Sequence, residues 1–167
     1  LMAKGPSIML GYYENEEATK SALEPDGWFH TGDLARIDKD GFIYIAGRKK
    51  SVIVLNNGKN VFPEEIETLL NKVEGIKETF VYEKKEDDGD VKVCVEIVYD
   101  KEMIKDLYHI EDEEKIKEFL WEKVKEVNKL MPKYKYVREM IVTEEPLIKT
   151  TTLKIKRHEE LKKVLGK

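Results

Sequence analysis

Apolar positions fall into helical register at two places in the second half of this chain. Behind Pro63, the residues Ile66, Leu69, Leu70 and Val73 follow the i, i+3, i+4, i+7 spacing of one buried face, and Gly75 closes the run. Proline suits a helix's first turn, and Glu64, Glu65 and Glu67 lie where the positive end of the helix dipole favours acids. Over residues 112–130, Ile116, Phe119, Leu120, Val124 and Val127 share one side, and Pro132 stops the helix. A third helix is predicted over 157–165. Strands are predicted at 79–82, at 91–99 and at 139–143, the first two joined as a hairpin by the acidic link 84–90. The segment 100–111 reads as a loop.

The first 47 residues read as β structure punctuated by turns. Asp26-Gly27 and Asp40-Gly41 are turn signals, and Phe42-Ile43-Tyr44-Ile45 supplies a strand after the second. Lys49 and Lys50 interrupt the pattern, residues 51–55 form another short strand, and Asn56-Asn57-Gly58 is a turn. The order β-α-β-β-α-β predicts an α+β class, a small sandwich with helices on one face of an antiparallel sheet. Residues 1–47 hold too few apolar positions to close a core of their own. The expected division is therefore a β-rich remnant of a larger domain at 1–48 and a self-sufficient domain at 49–167. The chain opens inside an apparent strand, as an excised piece of a longer protein would.

Composition narrows the function. The 167 residues carry 41% hydrophobic and 38% charged side chains, with a net charge of −4. That balance argues against general nucleic-acid binding, which needs a basic surface. Cys94 is the only cysteine, so an intrachain disulfide is impossible, and its alternating apolar setting reads as core. No apolar run approaches the length of a membrane span. His30, His109 and His158 lack metal-ligand spacing, so no metal site is expected in this chain.

The densest chemistry lies between Trp28 and Glu67. It contains a Thr31-Gly32-Asp33 turn, a Gly47-Arg48-Lys49-Lys50 cluster, a Gly58-Lys59-Asn60 loop and the Pro63-Glu64-Glu65 helix start. Near the end stands Lys149-Thr150-Thr151-Thr152-Leu153-Lys154-Ile155-Lys156-Arg157. Together these blocks resemble the C-terminal core motifs of the adenylate-forming superfamily, which includes acyl-CoA synthetases, luciferases and the adenylation domains of peptide synthetases. The second block is similar to that family's Lys-Thr-x-x-Gly-Lys-x-x-Arg signature in all but one position. There, Leu153 replaces glycine. Because leucine avoids positive φ, the loop is expected to use an ordinary backbone conformation.

The resemblance implies roles residue by residue. Asp33 matches the aspartate that accepts hydrogen bonds from ribose hydroxyls, helped by the arginine at Arg48. Lys154 matches the lysine that bridges carboxylate and α-phosphate during adenylation, where an ammonium offsets negative charge building on the phosphoryl oxygens. Lys50 matches the hinge about which the lid domain swings between its adenylating and thioester-forming poses. Gly58 matches the glycine that leaves room for the pantetheine arm of CoA, and Lys59 and Asn60 lie where phosphate groups of AMP or CoA would be met. Val54 stands where several relatives carry a basic residue for the second half-reaction. Taken singly, each has a plainer reading: Asp33 as a turn cap, Gly58 as a turn glycine, and Lys149 to Arg157 as a solvated basic stretch.

The resemblance implies the lid domain of an AMP-forming acyl-CoA synthetase of the long-chain fatty acid type. Its substrates would be ATP, CoA and a fatty acid, with Mg2+, and the Mg2+ site is expected upstream. A cytoplasmic location is expected, with peripheral membrane association of a full-length enzyme left open, and the 167 residues alone are expected to be inactive. Two alternatives stand beside it: an adenylation domain that loads an acid onto a carrier protein, and a non-enzymatic α+β binding module.

Overall fold

A computed structural model describes residues 1–166 and divides them into two compact units, Leu1–Val52 and a second unit that begins at Ile53. In the first unit, β1 (Met2–Ala3) pairs antiparallel with β2 (Phe29–His30). Between them lies a helix that apolar periodicity does not reveal, α1 (Glu16–Ala22). It buries no residue, so it carries no apolar stripe. It is held at its start, where the Asn15 side chain accepts from the Ala18 N–H at 2.9 Å and Glu16 and Glu17 face the dipole. The hairpin of β3 (Asp33–Ile37) and β4 (Ile43–Arg48) follows, tied at its tip by the Asp38 carboxylate, which accepts from Asp40 and Phe42. Lys49–Ser51 form a single 3-10 turn.

The second unit opens with a short hairpin, β5 (Ile53–Val54) and β6 (Asn60–Val61). Helix α2 (Pro63–Leu70) starts at its proline and buries Ile66 and Leu70 completely. Gly75 turns the chain into the sheet at φ +92°. A side chain there would begin 2.6 Å from Ile104 Cγ1, so only glycine fits. The sheet has the order β7 (Ile76–Lys85), β8 (Val91–Tyr99), β9 (Glu139–Thr143).

Two expectations about this sheet are corrected. First, β9 runs parallel to β8, with Cys94 opposite Glu139, whereas β7 and β8 are antiparallel. A parallel neighbour requires a crossover connection. It is supplied by α3 (Lys101–Tyr108) and α4 (Glu113–Asn128), so the segment expected to be a loop contains a helix. Asp100 caps α3 by accepting from the Met103 N–H, and Ile104 is its fully buried anchor.

Second, helices lie on both faces. Val81, Val93, Val95 and Ile97 point to one side, against Ile66, Leu70, Ile104, Ile116, Leu120 and Val124. By strand alternation Phe80, Tyr82, Cys94 and Val98 point to the other, where Leu147 and Leu161 and Val164 of α5 (Arg157–Leu165) cover them. Among the described residues, no helix is long and apolar enough to cross a membrane.

Candidate active site

In the first unit the strand register sets Asp33, which opens β3, opposite Arg48, which closes β4. Arg48 Nη1 donates to Asp33 Oδ1 at 2.6 Å and to the Thr31 carbonyl at 3.0 Å. The Thr31 hydroxyl accepts from the Asp33 N–H at 3.0 Å. The Arg48 hydrogen bond holds the Asp33 carboxyl below its usual range, so it stays an acceptor well into acid. A hollow within this unit is lined by Tyr12, His30, Thr31, Arg48 and Lys50. Lys50 sits in the exposed 3-10 turn. His30 Nε2 lies 2.6 Å from Glu24 Oε1, a surface pairing.

Within the second unit, Lys154 rides on a tight turn whose stem is the bridge between Lys149 and Ile155. The Leu153 N–H donates to the Thr150 carbonyl at 3.0 Å, and the Thr150 N–H donates to the Lys154 carbonyl at 2.8 Å. The Lys154 N–H reaches the Thr150 hydroxyl at 3.2 Å, and that hydroxyl contacts Thr152 Oγ1 at 3.0 Å. Between these bonds Leu153 takes φ +61° and is 79% exposed. The expectation of an ordinary conformation at Leu153 is therefore overturned. The paired bonds from Thr150 close a turn too short for any other route, and the leucine adopts the conformation a glycine would. Among the described residues no side-chain partner holds the Lys154 ammonium, and the residue is exposed.

The base of this turn is gripped by residues that apolar patterning does not single out. Lys149 pairs with Glu78 of β7, whose other carboxylate oxygen accepts from the Leu147 N–H at 3.4 Å. The Ile148 N–H donates to the fully buried Glu160, and the Lys156 N–H to the Ile148 carbonyl at 2.8 Å. Arg157, the last residue of the signature, donates from Nη2 to Glu67 Oε2 at 2.6 Å and from Nη1 to the Val81 carbonyl at 3.3 Å. Burial pushes the Glu67 carboxyl up despite the guanidinium beside it. The signal available in the sequence is Glu160 itself, an acid one helical turn before Val164 on the apolar stripe of α5.

Gly58, Lys59 and Asn60 form the end of the β5–β6 hairpin, a different loop of the same unit. Gly58 has φ +74°, and no atom lies within 4 Å of where a side chain would start. Its backbone alone thus calls for glycine, and the space above it is open. The Lys59 ammonium lies 4.5 Å over the Tyr134 ring, and Asn60 and Val54 are exposed. A hollow beside this loop is lined by Asn56, Asn57, Tyr134, Tyr136 and Arg138. Cys94 is buried and its thiol is pushed up to about 11 by desolvation, which leaves it inert as a nucleophile. Among the described residues no cluster of three or more His, Cys, Asp or Glu is placed to hold a metal.

A family model described as the AMP-binding enzyme C-terminal domain matches residues 50–164. This chain belongs to the AMP-binding enzymes. Fatty acyl-CoA synthetase B of Dictyostelium discoideum is 31% identical over 98% of the chain, and the medium-chain fatty-acid–CoA ligase of Escherichia coli strain K12 is 32% identical over 93%. The chain spans 27% and 25% of the lengths of these two relatives. Among solved structures, ATP-bound MatB from Rhodopseudomonas palustris superposes with a TM-score of 0.70 at 29% identity, covering 98% of the chain and 30% of that protein. The O-succinylbenzoate coenzyme A synthetase MenE of Bacillus subtilis, in complex with AMP, gives 0.71 at 25% identity over 95% of the chain and 29% of its own. The fold of this AMP-binding C-terminal domain is thus the mixed α/β arrangement of adenylate-forming enzymes.

Proposed function

We propose that this AMP-binding domain serves an AMP-forming acyl-CoA ligase that acts on fatty acids, with long-chain acids the preferred class. Residues 1–48 would be the end of the large adenylating domain and residues 49–167 its lid. In the first half-reaction a carboxylate oxygen attacks the α-phosphorus of ATP, the bond to the β-phosphate bridging oxygen breaks, and pyrophosphate leaves. In the second, the CoA sulfur attacks the acyl carbon, the carbon–oxygen bond to AMP breaks, and the thiol proton is lost.

The observation that carries the reading is Lys154, whose ammonium has no partner among the described residues and which lies on a turn whose base is fastened to Glu78 and Glu160. That is what a cation needs if it is to enter a site on lid closure and neutralise developing phosphoryl charge. Asp33, kept ionised by Arg48, would accept the ribose hydroxyls. Lys50, in an exposed 3-10 turn, would be the hinge, since its backbone can change without loss of buried contacts. Gly58 would leave passage for the pantetheine arm, with Lys59 and Asn60 beside it. The Mg2+ that accompanies ATP would be held by residues outside this chain. The two fatty-acid relatives support the acyl class, because they match over nearly the whole chain.

In a full-length ligase bearing this chain, Lys154→Ala is expected to slow acyl-adenylate formation by about 100-fold or more, the loss of one transition-state charge partner. Thioester formation from pre-made acyl-AMP should change little. Equal damage to both half-reactions would overturn the role given to Lys154. A substrate panel read by pyrophosphate release should favour long-chain fatty acids, and a preference for an aromatic or dicarboxylic acid would overturn the acyl class.

A further inference from the structure

The apolar stripe of α5 contains one acid, and the sheet face it packs on contains another. Glu160 is fully buried and Glu96 of β8 is 3% exposed; Glu96 shares its face of the sheet with Cys94 and Val98. Two acids in one apolar layer are a costly arrangement unless something uses them. Glu160 is occupied: its Oε2 accepts the Ile148 N–H, and its Oε1 accepts from Lys163 Nζ at 3.0 Å. Glu96 is served less well. Lys163 Nζ reaches its Oε1 at 3.4 Å, while its Oε2 is buried without a hydrogen-bond partner among the described residues.

One ammonium therefore serves two carboxyls, and the carboxyl with the better share holds the stem of the Lys154 turn. We propose that Glu160 is the positioning residue for the Lys154 turn, acting through the Ile148 N–H, and that Glu96 makes this hold sensitive to protons. The first part rests on geometry. Ile148 is the residue before the stem, and its carbonyl is taken by the Lys156 N–H, so both of its backbone groups are fixed from the start of α5. The second part rests on shared charge. When Glu96 is neutral, Lys163 belongs to Glu160 alone. When Glu96 ionises, two buried carboxylates face one lysine and repel each other, and the grip on Ile148 loosens.

Burial, and the charge of Glu160 beside it, push the Glu96 carboxyl up to about 6. The other groups around this layer are shifted away from that range, paired or, like His158, exposed. Burial pushes Tyr82 up beyond its usual range and Cys94 to about 11. Glu139 is tied to Lys84 and Lys92, and Glu78 to Lys149. Glu145 lies 4.0 Å from Lys163 Nζ but is exposed, so solvent screens it.

The test is amide hydrogen exchange on the 167-residue chain, corrected for the intrinsic pH dependence of exchange, for the native protein and for Glu160→Leu, Glu160→Gln and Glu96→Gln. Glu160→Leu, close in volume and set among apolar neighbours, should lower Ile148 protection by tenfold or more while Val95 and Ile97 in the sheet keep theirs. Glu160→Gln keeps an oxygen acceptor and should restore part of the loss. Native Ile148 protection should fall severalfold between pH 5 and 7.5, and Glu96→Gln should flatten that fall. An Ile148 amide indifferent to Glu160→Leu would overturn the positioning role, and a pH dependence that survives Glu96→Gln would overturn the proton-sensitive part.

The catalytic consequence rests on the reading of Lys154 given above. In the full-length ligase, Glu160→Leu should lower kcat for adenylation with the KM for ATP unchanged. Loss of Ile148 protection with adenylation intact would support the grip and overturn the adenylating role of Lys154, so the two failures are told apart.

Discussion

At the scale of single residues, Leu153 is the informative departure. It stands at φ +61° with its side chain 79% exposed. A left-handed conformation costs a non-glycine residue about 1–2 kcal/mol, while glycine would give back about 0.5–1 kcal/mol through the freedom it gains when unfolded. Little burial is forfeited by removing the side chain. Leu153→Gly is therefore expected to stabilise the chain by about 0.5–1 kcal/mol net, read as a higher thermal midpoint. A lower midpoint would mean that the leucine makes a contact worth more than its strain. The hydrogen-bond pattern of the turn, anchored on Thr150, does not involve the side chain at position 153, which is why the turn shape survives the substitution.

At the scale of elements, α5 is fastened by charge as much as by apolar contact. Arg157 holds Glu67 of α2 and the Val81 carbonyl of β7 while lying 5.5 Å over the Phe80 ring. Arg157→Met would keep much of the packing and strand a largely buried carboxylate, so a loss of about 3 kcal/mol is expected. Glu67 is already raised in the folded protein, and a raised carboxyl gives stability at low pH that is lost as pH rises through its folded value. The deficit of the variant should thus be larger at pH 8 than at pH 5 in denaturant unfolding, and a deficit independent of pH would count against Glu67 as the stranded group.

The same scale shows what the sequence reveals and what it hides. Helices α2, α4 and α5 are legible because each carries an apolar stripe, and β8 because its run is long and β-rich. Helix α1 is not, because it buries nothing. Helix α3 escapes although its Asp100 cap and the Ile104 and Tyr108 spacing are present, since eight residues give too short a pattern to outweigh the surrounding charge. The parallel β8–β9 pairing is hidden for a different reason: the helix over 112–130 makes the connection long enough for a crossover, but the order of elements fits an antiparallel return of β9 equally well. The lysine turn is readable from its motif, but Glu78 and Glu96 beneath it are not, because Lys149 and Lys163 lie 71 and 67 residues away, and Glu160 shows only as an acid on the apolar stripe of α5.

At the scale of the whole chain, acidity acts in opposite directions. Asp33 and Glu139 are held low, chiefly by hydrogen bonds from Arg48 and Lys84, so what they contribute fades as pH falls through their folded values. Glu96 behaves in reverse. Its carboxyl ordinarily titrates near 4.5 and in the fold near about 6, so its contribution is complete below about 4.5 and is lost as pH rises to about 6. A tenfold change in proton affinity is worth about 1.4 kcal/mol, so that window carries about 2 kcal/mol. Urea unfolding of the native chain should lose stability across it, and Glu96→Gln should flatten the slope; an unchanged slope would place the proton elsewhere. The strand order has a consequence in time as well. Because β9 joins the sheet in parallel, it finds its place only after α3 and α4 have carried the chain back across the face. The Lys154 turn depends on distant contacts as well, fastened to Glu78 across 71 residues through Lys149 and to α5 behind it. Until those long-range contacts form, the lysine rides on a loose tether; once they have formed, it is an aimed charge.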